Sequence, residues 1–267
     1  EPGKGMDMSL VCTNITFAYN SARVLHQVCL DVPRGSFCAL LGRNGSGKTT
    51  LLHCLCGILH PESGEILVDN NPLHRIDGTA RAKCISLVPQ ELDQIFPFTV
   101  LDFVLMGRNP HLRGVAMPGA DDEKIAWQAL ELLGADHLAN CRVNQVSGGE
   151  RQLATVARAL AQQAPIMLLD EPTNHLDFHN QYHLLYQIRK LCRDQNLTVL
   201  ASMHNPNAVA AVADRVVLLE AGHEVARGEV ESVLTQKQLS RLYGMPIVES
   251  GLTGGQKHFM PVMDFCR

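Results

Sequence analysis

Short apolar runs alternate with stretches of helical periodicity along most of this chain. The runs "SLVCTNITFAY", "SFCALLG", "CISLVP", "PIMLLD", "LTVLAS" and "RVVLLE" are rich in Val, Ile and Leu, and most of them end at Gly, Pro, Asp or Ser. Their length and continuity predict buried strands. Apolar positions recur at helical spacing in "KTTLLHCLCGIL", "DDEKIAWQALELLG", "GERQLATVARALAQQ" and "QYHLLYQIRKLC". Strands alternating with helices in this way predict an α/β fold around a largely parallel sheet.

One region departs from the alternation. Residues 91–163 are mostly helical in pattern and contain the Gly- and Pro-rich loop "NPHLRGVAMPGADD". This predicts a helical subdomain inserted between two strands of the main domain, residues 9–245. The end of the chain, residues 246–267, holds short strand-like pieces and a Gly pair and reads as an appendage. Residues 1–8 read as a disordered or added leader. The stretch "EVESVLTQKQLSRLYG" reads as one amphipathic helical segment packed on the core. His175, His179 and His183 recur every four residues, which places them on one polar helical face.

Composition narrows the function classes. The 267 residues are 46% hydrophobic and 19% charged with a formal net charge of -4, so there is no basic excess to follow a nucleic-acid backbone. Nucleic acid is not an expected partner. No apolar run is long enough to cross a bilayer, and "EPGKGMDMSL" lacks the apolar core of a secretory signal. Nine cysteines are scattered through strands and helices; Cys54 and Cys56 have no second pair to complete a zinc site. Free thiols in a reducing compartment are the simplest account of them.

The candidate chemistry lies in three stretches. "LLGRNGSGKTT" carries G-x-x-x-x-G-K-[ST] from Gly42 to Thr49, between a strand and a helix. In that setting the backbone N–H groups of Gly42, Arg43, Asn44, Gly45, Ser46 and Gly47 wrap phosphates, Lys48 reaches the β and γ phosphates, and Thr49, with Thr50 after it, opens the helix beside a magnesium ion. "PIMLLDEPTNHLD" is an apolar strand ending in Asp170 and Glu171, where carboxylates emerge at the sheet edge that binds ligands. Asp170 there suits a magnesium hydration shell and Glu171 suits the polarisation of an attacking water. "NQVSGGERQ" sets Ser147, Gly148 and Gly149 at the start of a helix. Ser147 with Glu150 forms a capping box pattern, and two glycines at a helix start suggest close approach to an anion.

With these motifs in this order, the chain from about Ser9 to Tyr243 resembles the nucleotide-binding subunit of an ABC transporter. The resemblance implies a P-loop NTPase (RecA-like) core with a mainly parallel sheet, an antiparallel β portion near the N-terminus and the inserted ABC helical subdomain. It implies ATP and Mg2+ as cofactors. Tyr19 in "ITFAYN" would stack on adenine. Gln90 in "SLVPQ" would touch magnesium and the attacking water, and His204 in "LASMHNP" would contact the γ phosphate. Asp177 in "NHLD" would lie in the loop that crosses between subunits. "VSGGERQ" resembles the family signature, so Ser147, Gly148 and Gly149 would face the phosphate held by Lys48 of a second copy, in a head-to-tail dimer with two ATP molecules between the subunits. Within its own chain this helix start should then look nearly idle, capped and exposed. Val146, Glu150 and Asn205 depart from the residues usual in the family at their positions.

The same resemblance implies transport. A soluble member of the family, acting in translation or DNA repair, is the alternative of another class; such members typically carry two nucleotide domains or a long coiled-coil insertion, and this sequence shows neither. "FTVLDFVLMGRNPHL", Phe98 to Leu112, resembles importers of metal chelates such as siderophores, haem and cobalamin, with relatives that handle oxyanions; an importer of zinc, manganese or another small solute is the alternative. Permease subunits, and through them a substrate-binding protein, would be partners, at the cytoplasmic face of the inner membrane. The cargo itself is not written in this chain.

Overall fold

In the computed structural model, residues 8–90, 97–114, 116–251 and 257–262 are described. The chain begins with an antiparallel pair, β1 (Met8–Tyr19) and β2 (Ala22–Pro33). β3 (Phe37–Leu41) is buried along its whole length and leads into α1 (Lys48–Leu55). β4 (Ser63–Val68) and β5 (Asn71–Pro72) return to the first pair, giving an antiparallel sheet in the order β2-β1-β4-β5. After α2 (Gly78–Cys84), whose N-terminal N–H groups are capped by Asp77, comes β6 (Ile85–Val88).

The helical portion follows: α3 (Val100–Leu105), α4 (Ala120–Leu132) and α5 (Gly148–Ala161). They pack on one another through Val104, Ala126, Leu130 and Ala154, all fully buried. β7 (Ile166–Asp170) re-enters the main sheet, followed by α6 (Phe178–Gln195), β8 (Thr198–Met203), α7 (Pro206–Val212), β9 (Arg215–Glu220) and β10 (His223–Glu229). The second sheet runs β10-β9-β3-β8-β7-β6; its strands from β9 to β6 are parallel, and β10 closes the edge antiparallel to β9. Two short helices, α8 (Val230–Val233) and α9 (Gln236–Tyr243), precede a separate pair, β11 (Ile247–Gly251) and β12 (Lys257–Pro261).

Strand alternation divides the core in two. Phe37, Ala39 and Leu41 face the helices of the insertion and the C-terminal half, whereas Cys38 and Leu40 face the antiparallel sheet, with Leu51, Leu52 and Leu55 of α1 between the two sheets. Apolar cover on both sides is why β3, β7 and β8 read as unbroken apolar runs.

Several sequence expectations need correction here. The segment 229–244 is not one helix: Thr235 interrupts it and caps α9 through its hydroxyl. His175 is not on the face of α6. That helix starts at Phe178 behind the cap of Asp177, and His175 lies in the preceding turn with φ +64. Only His179 and His183 share the face, their rings stacked with centroids 6.1 Å apart. Eight cysteines fall among the described residues and all are free. Among the described residues, no helix is long and apolar enough to cross a membrane.

Candidate active site

The parallel strands end at a common edge, and the chemistry gathers there. β3 delivers the chain to the loop from Gly42 to Gly47, which ends in the left-handed conformation at Gly47, φ +99. The left-handed conformation requires glycine there, and a Cβ at Gly47, within 2.9 Å of Leu25 Cδ2, would also push that side chain aside. Gly47 provides no side-chain cap to α1, which leaves the first N–H groups of that helix for an anion. Lys48 is only 5% exposed. Its Nζ donates to the carbonyls of Gly42 at 3.0 Å and Arg43 at 3.3 Å and lies 3.4 Å from Glu171 Oε1.

α1 packs against β7, so Thr49, at the start of the one, and Asp170, at the end of the other, belong to one edge. Asp170 is 1% exposed and stands in register with Ser202 on β8. The Ser202 hydroxyl donates to Asp170 Oδ1 at 2.6 Å and accepts the backbone N–H of Glu171 at 2.8 Å. Asp170 Oδ2 is buried with no hydrogen-bond partner among the described residues. A buried carboxylate oxygen is rarely left so. An orphaned carboxylate oxygen and a threonine hydroxyl are hard oxygen donors, the set that fits a hydrated magnesium ion.

Glu171 has φ +47, unusual for a residue with a side chain. Asn174 Nδ2 donates to its Oε2 at 2.8 Å and Gln90 Nε2 to the same oxygen at 3.4 Å. The structure thus brings together Lys48, Asp170, Glu171 and Gln90. His204 follows β8 directly, with an exposed side chain and a backbone carbonyl that accepts the Tyr243 hydroxyl at 2.7 Å. Asn205 caps α7, its Oδ1 accepting from the N–H groups of Asn207 and Ala208. Tyr19 ends β1, 48% exposed, with its ring 4.8 Å from Phe17 in an edge-on contact.

Among the described residues, no hydrogen bond joins the start of α5 to this cluster. Ser147 and Gly148 are exposed. Ser147 Oγ accepts from the N–H of Glu150, and the N–H of Ser147 donates to Glu150 Oε2 at 2.8 Å, a complete capping box. That backbone bond, with the serine hydroxyl second, holds the Glu150 carboxyl below the usual carboxylate range. The helix start is capped and exposed, but it is not idle. A Cβ at Gly149 would lie 3.1 Å from the carbonyl of His175, so a close approach within the chain already accounts for that glycine. Gly148, Arg151, Gln152, Thr155 and His175 also line, with Pro89 and Gln90, a cavity of about 260 Å³. Asp177 caps α6.

No local spacing gives Ser202, Asn174 or Tyr243 a role in the sequence. Only the pairing of β7 with β8 places Ser202 beside Asp170, and only the C-terminal fold places Tyr243 beside His204.

A phosphate-cradling loop, a buried lysine and two strand-end carboxylates on one sheet edge define a P-loop nucleotide hydrolase. The comparisons narrow the class. The ABC transporter family profile matches residues 25–174. A Helicobacter pylori protein named for ATP binding in iron chelatin transport is 39% identical over 241 residues, 90% of this chain and 94% of its own. The hemin import ATP-binding protein of Escherichia coli is 38% identical, covering 88% of this chain and 91% of its own. The molybdate import ATP-binding protein of Haemophilus influenzae is 37% identical, covering 96% and 98%. Among solved structures, one described as an inward-facing conformation of a metal-chelate type ABC transporter superposes with a TM-score of 0.84 at 36% identity, covering 97% of this chain and 98% of that one. The chain belongs to the ABC transporter family and is an ATP-binding, ATP-hydrolysing subunit of it.

Proposed function

We propose that this chain is the motor subunit of a bacterial importer that takes up a metal chelate, such as a siderophore, haem or cobalamin, through separate membrane subunits. The observation that carries the hydrolytic part is the convergence of Lys48 and Glu171, 3.4 Å apart, at the strand end that also holds Asp170. The cargo class rests on the names of the iron chelatin and hemin relatives and on the metal-chelate structure.

In this reading the loop from Gly42 to Thr50 binds the ATP phosphates and Tyr19 stacks on the adenine. Phosphate oxygens take the Lys48 ammonium from the carbonyls of Gly42 and Arg43. Thr49, Gln90 and Asp170 would hold a magnesium ion, which would supply charge neutralisation at the phosphates. Glu171, held by Asn174 and Gln90, accepts a proton from the attacking water. His204 donates to the γ phosphate. Ser147, Gly148 and Gly149 close on the ATP of a second copy and Asp177 crosses between the two, so ATP closes a head-to-tail dimer and hydrolysis reopens it. The dimer drives permease subunits at the cytoplasmic face of the inner membrane, served by a substrate-binding protein.

The molybdate relative, which covers almost all of this chain, supports oxyanion import as the second reading. Uptake by cells lacking this chain separates the two. Loss of iron-chelate accumulation with normal molybdate uptake supports the first; the reverse result supports the second.

A further inference from the structure

The C-terminal segments close on the residues that follow β8. Tyr243, the last residue of α9, donates its hydroxyl to the carbonyl of His204 at 2.7 Å. Three residues along, Asn207 is held by β12: its Nδ2 donates to the carbonyl of Phe259 at 3.1 Å and its Oδ1 accepts the Phe259 N–H at 2.8 Å. This paired bond imitates a step of strand pairing, so the amide has one permitted orientation.

Phe259 is 3% exposed and belongs, with Ile247 of β11, to the same apolar core as the main sheet. The β11–β12 pair is therefore anchored rather than draped on the surface. α9 is fixed to β11 in turn, since Ser240 Oγ accepts the Ile247 N–H at 2.9 Å. Between these two attachments lies Asn205, whose side chain caps α7. The backbone from His204 to Ala208 is thus held at His204, Asn205 and Asn207, while the His204 side chain is exposed.

We infer that the C-terminal helix and strand pair act as the positioning device for His204, with Tyr243 and Asn207 as positioning residues that set where the imidazole stands relative to the γ phosphate. This rests on the reading of His204 as the phosphate-contacting residue. Burial raises the Tyr243 phenol above its usual range, so it is a hydrogen-bond donor at neutral pH. A fixed donor on the backbone limits the excursions of a loop residue, and a misplacement of about 1 Å in a catalytic group is enough to slow turnover by about a hundredfold.

The test is a double-mutant cycle on this chain, following ATP turnover, KM for ATP and thermal unfolding for Tyr243→Phe, His204→Ala and the two combined. Tyr243→Phe keeps the ring and removes only the hydroxyl. The expected result is a fall in kcat of about three- to tenfold with KM unchanged, and a Tm lowered by no more than about 2–4 °C, the scale of one net hydrogen bond in a chain of this size. In the His204→Ala background the same change should have no further effect. Asn207→Ala, combined with His204→Ala in the same way, tests the second attachment and serves if Tyr243→Phe folds poorly. Equal fold-losses in both backgrounds, or no loss on either single change, would overturn the positioning role. Normal turnover of His204→Ala would instead refute the reading of His204 itself, and the inference with it.

Discussion

The hydroxyl of Ser202 lies 2.6 Å from Asp170 Oδ1 while accepting the N–H of Glu171 at 2.8 Å, so one serine on β8 holds both carboxylate-bearing residues at the end of β7. It leaves Asp170 Oδ2 as the oxygen free of hydrogen bonds among the described residues.

Ser202→Ala should therefore raise the Mg2+ concentration needed for half-maximal nucleotide affinity and slow hydrolysis by about tenfold or more, because a bond to a charged carboxylate is worth about 1.5–3 kcal/mol. Ser202→Thr keeps the hydroxyl and should recover most of both. Calorimetric titration of nucleotide at graded magnesium checks the first effect apart from activity. Unchanged magnesium dependence in Ser202→Ala would show that Asp170 does not need this partner.

Lys48→Ala removes an ammonium that has three oxygen acceptors within 3.4 Å. Hydrolysis should fall below detection and ATP affinity should drop by at least about tenfold, as expected when a buried cation that contacts phosphate is lost. Filter binding of labelled ATP and a phosphate-release assay measure the two separately.

Ser147→Arg places a long cation at the exposed start of α5. It should block hydrolysis while leaving ATP binding by the single subunit near normal, since among the described residues no hydrogen bond joins Ser147 to the loop from Gly42 to Gly47. Its loss as a cap should also reduce stability by about 1 kcal/mol. Equilibrium binding at subunit concentrations too low for dimerisation is the check.

Glu150 gives a pH prediction. Its folded pKa is lowered from 4.5, first by the Ser147 N–H and then by the serine hydroxyl. A lowered carboxylate contributes stability that is present above its unfolded value and lost as the pH falls through the folded one. Glu150→Gln should thus lower Tm slightly at neutral pH, and the difference from the parent should vanish as acid protonates the parent carboxyl. Melting curves across that range test it.

What the sequence disclosed was contiguous. The loop from Gly42 to Thr49 and the pair Asp170–Glu171 are readable because their residues adjoin, and the unbroken apolar runs announced β3, β7 and β8. β2 and β10, by contrast, pair antiparallel at sheet edges and mix polar with apolar residues, so apolar continuity did not mark them. His175 misled because its spacing from His179 matches a helix that in fact begins later, at the Asp177 cap. A Cβ at Gly149 would lie 3.1 Å from the His175 carbonyl instead, which gives that glycine a second reason beyond an anion. Ser202 and Tyr243 depend on strand register and on the fold of the C-terminal segments, and no local spacing carries that information.

Hydrolysis as proposed needs Glu171 to accept the proton of the attacking water and ATP to close a dimer of this chain. Glu171→Gln with ATP and Mg2+, followed by light scattering and a single-turnover assay, tests it most directly. The expected outcome is a stable dimer retaining ATP, with hydrolysis slowed by about a hundredfold or more, the scale expected for loss of a general base. A monomer under those conditions, or turnover at the parent rate, would contradict it.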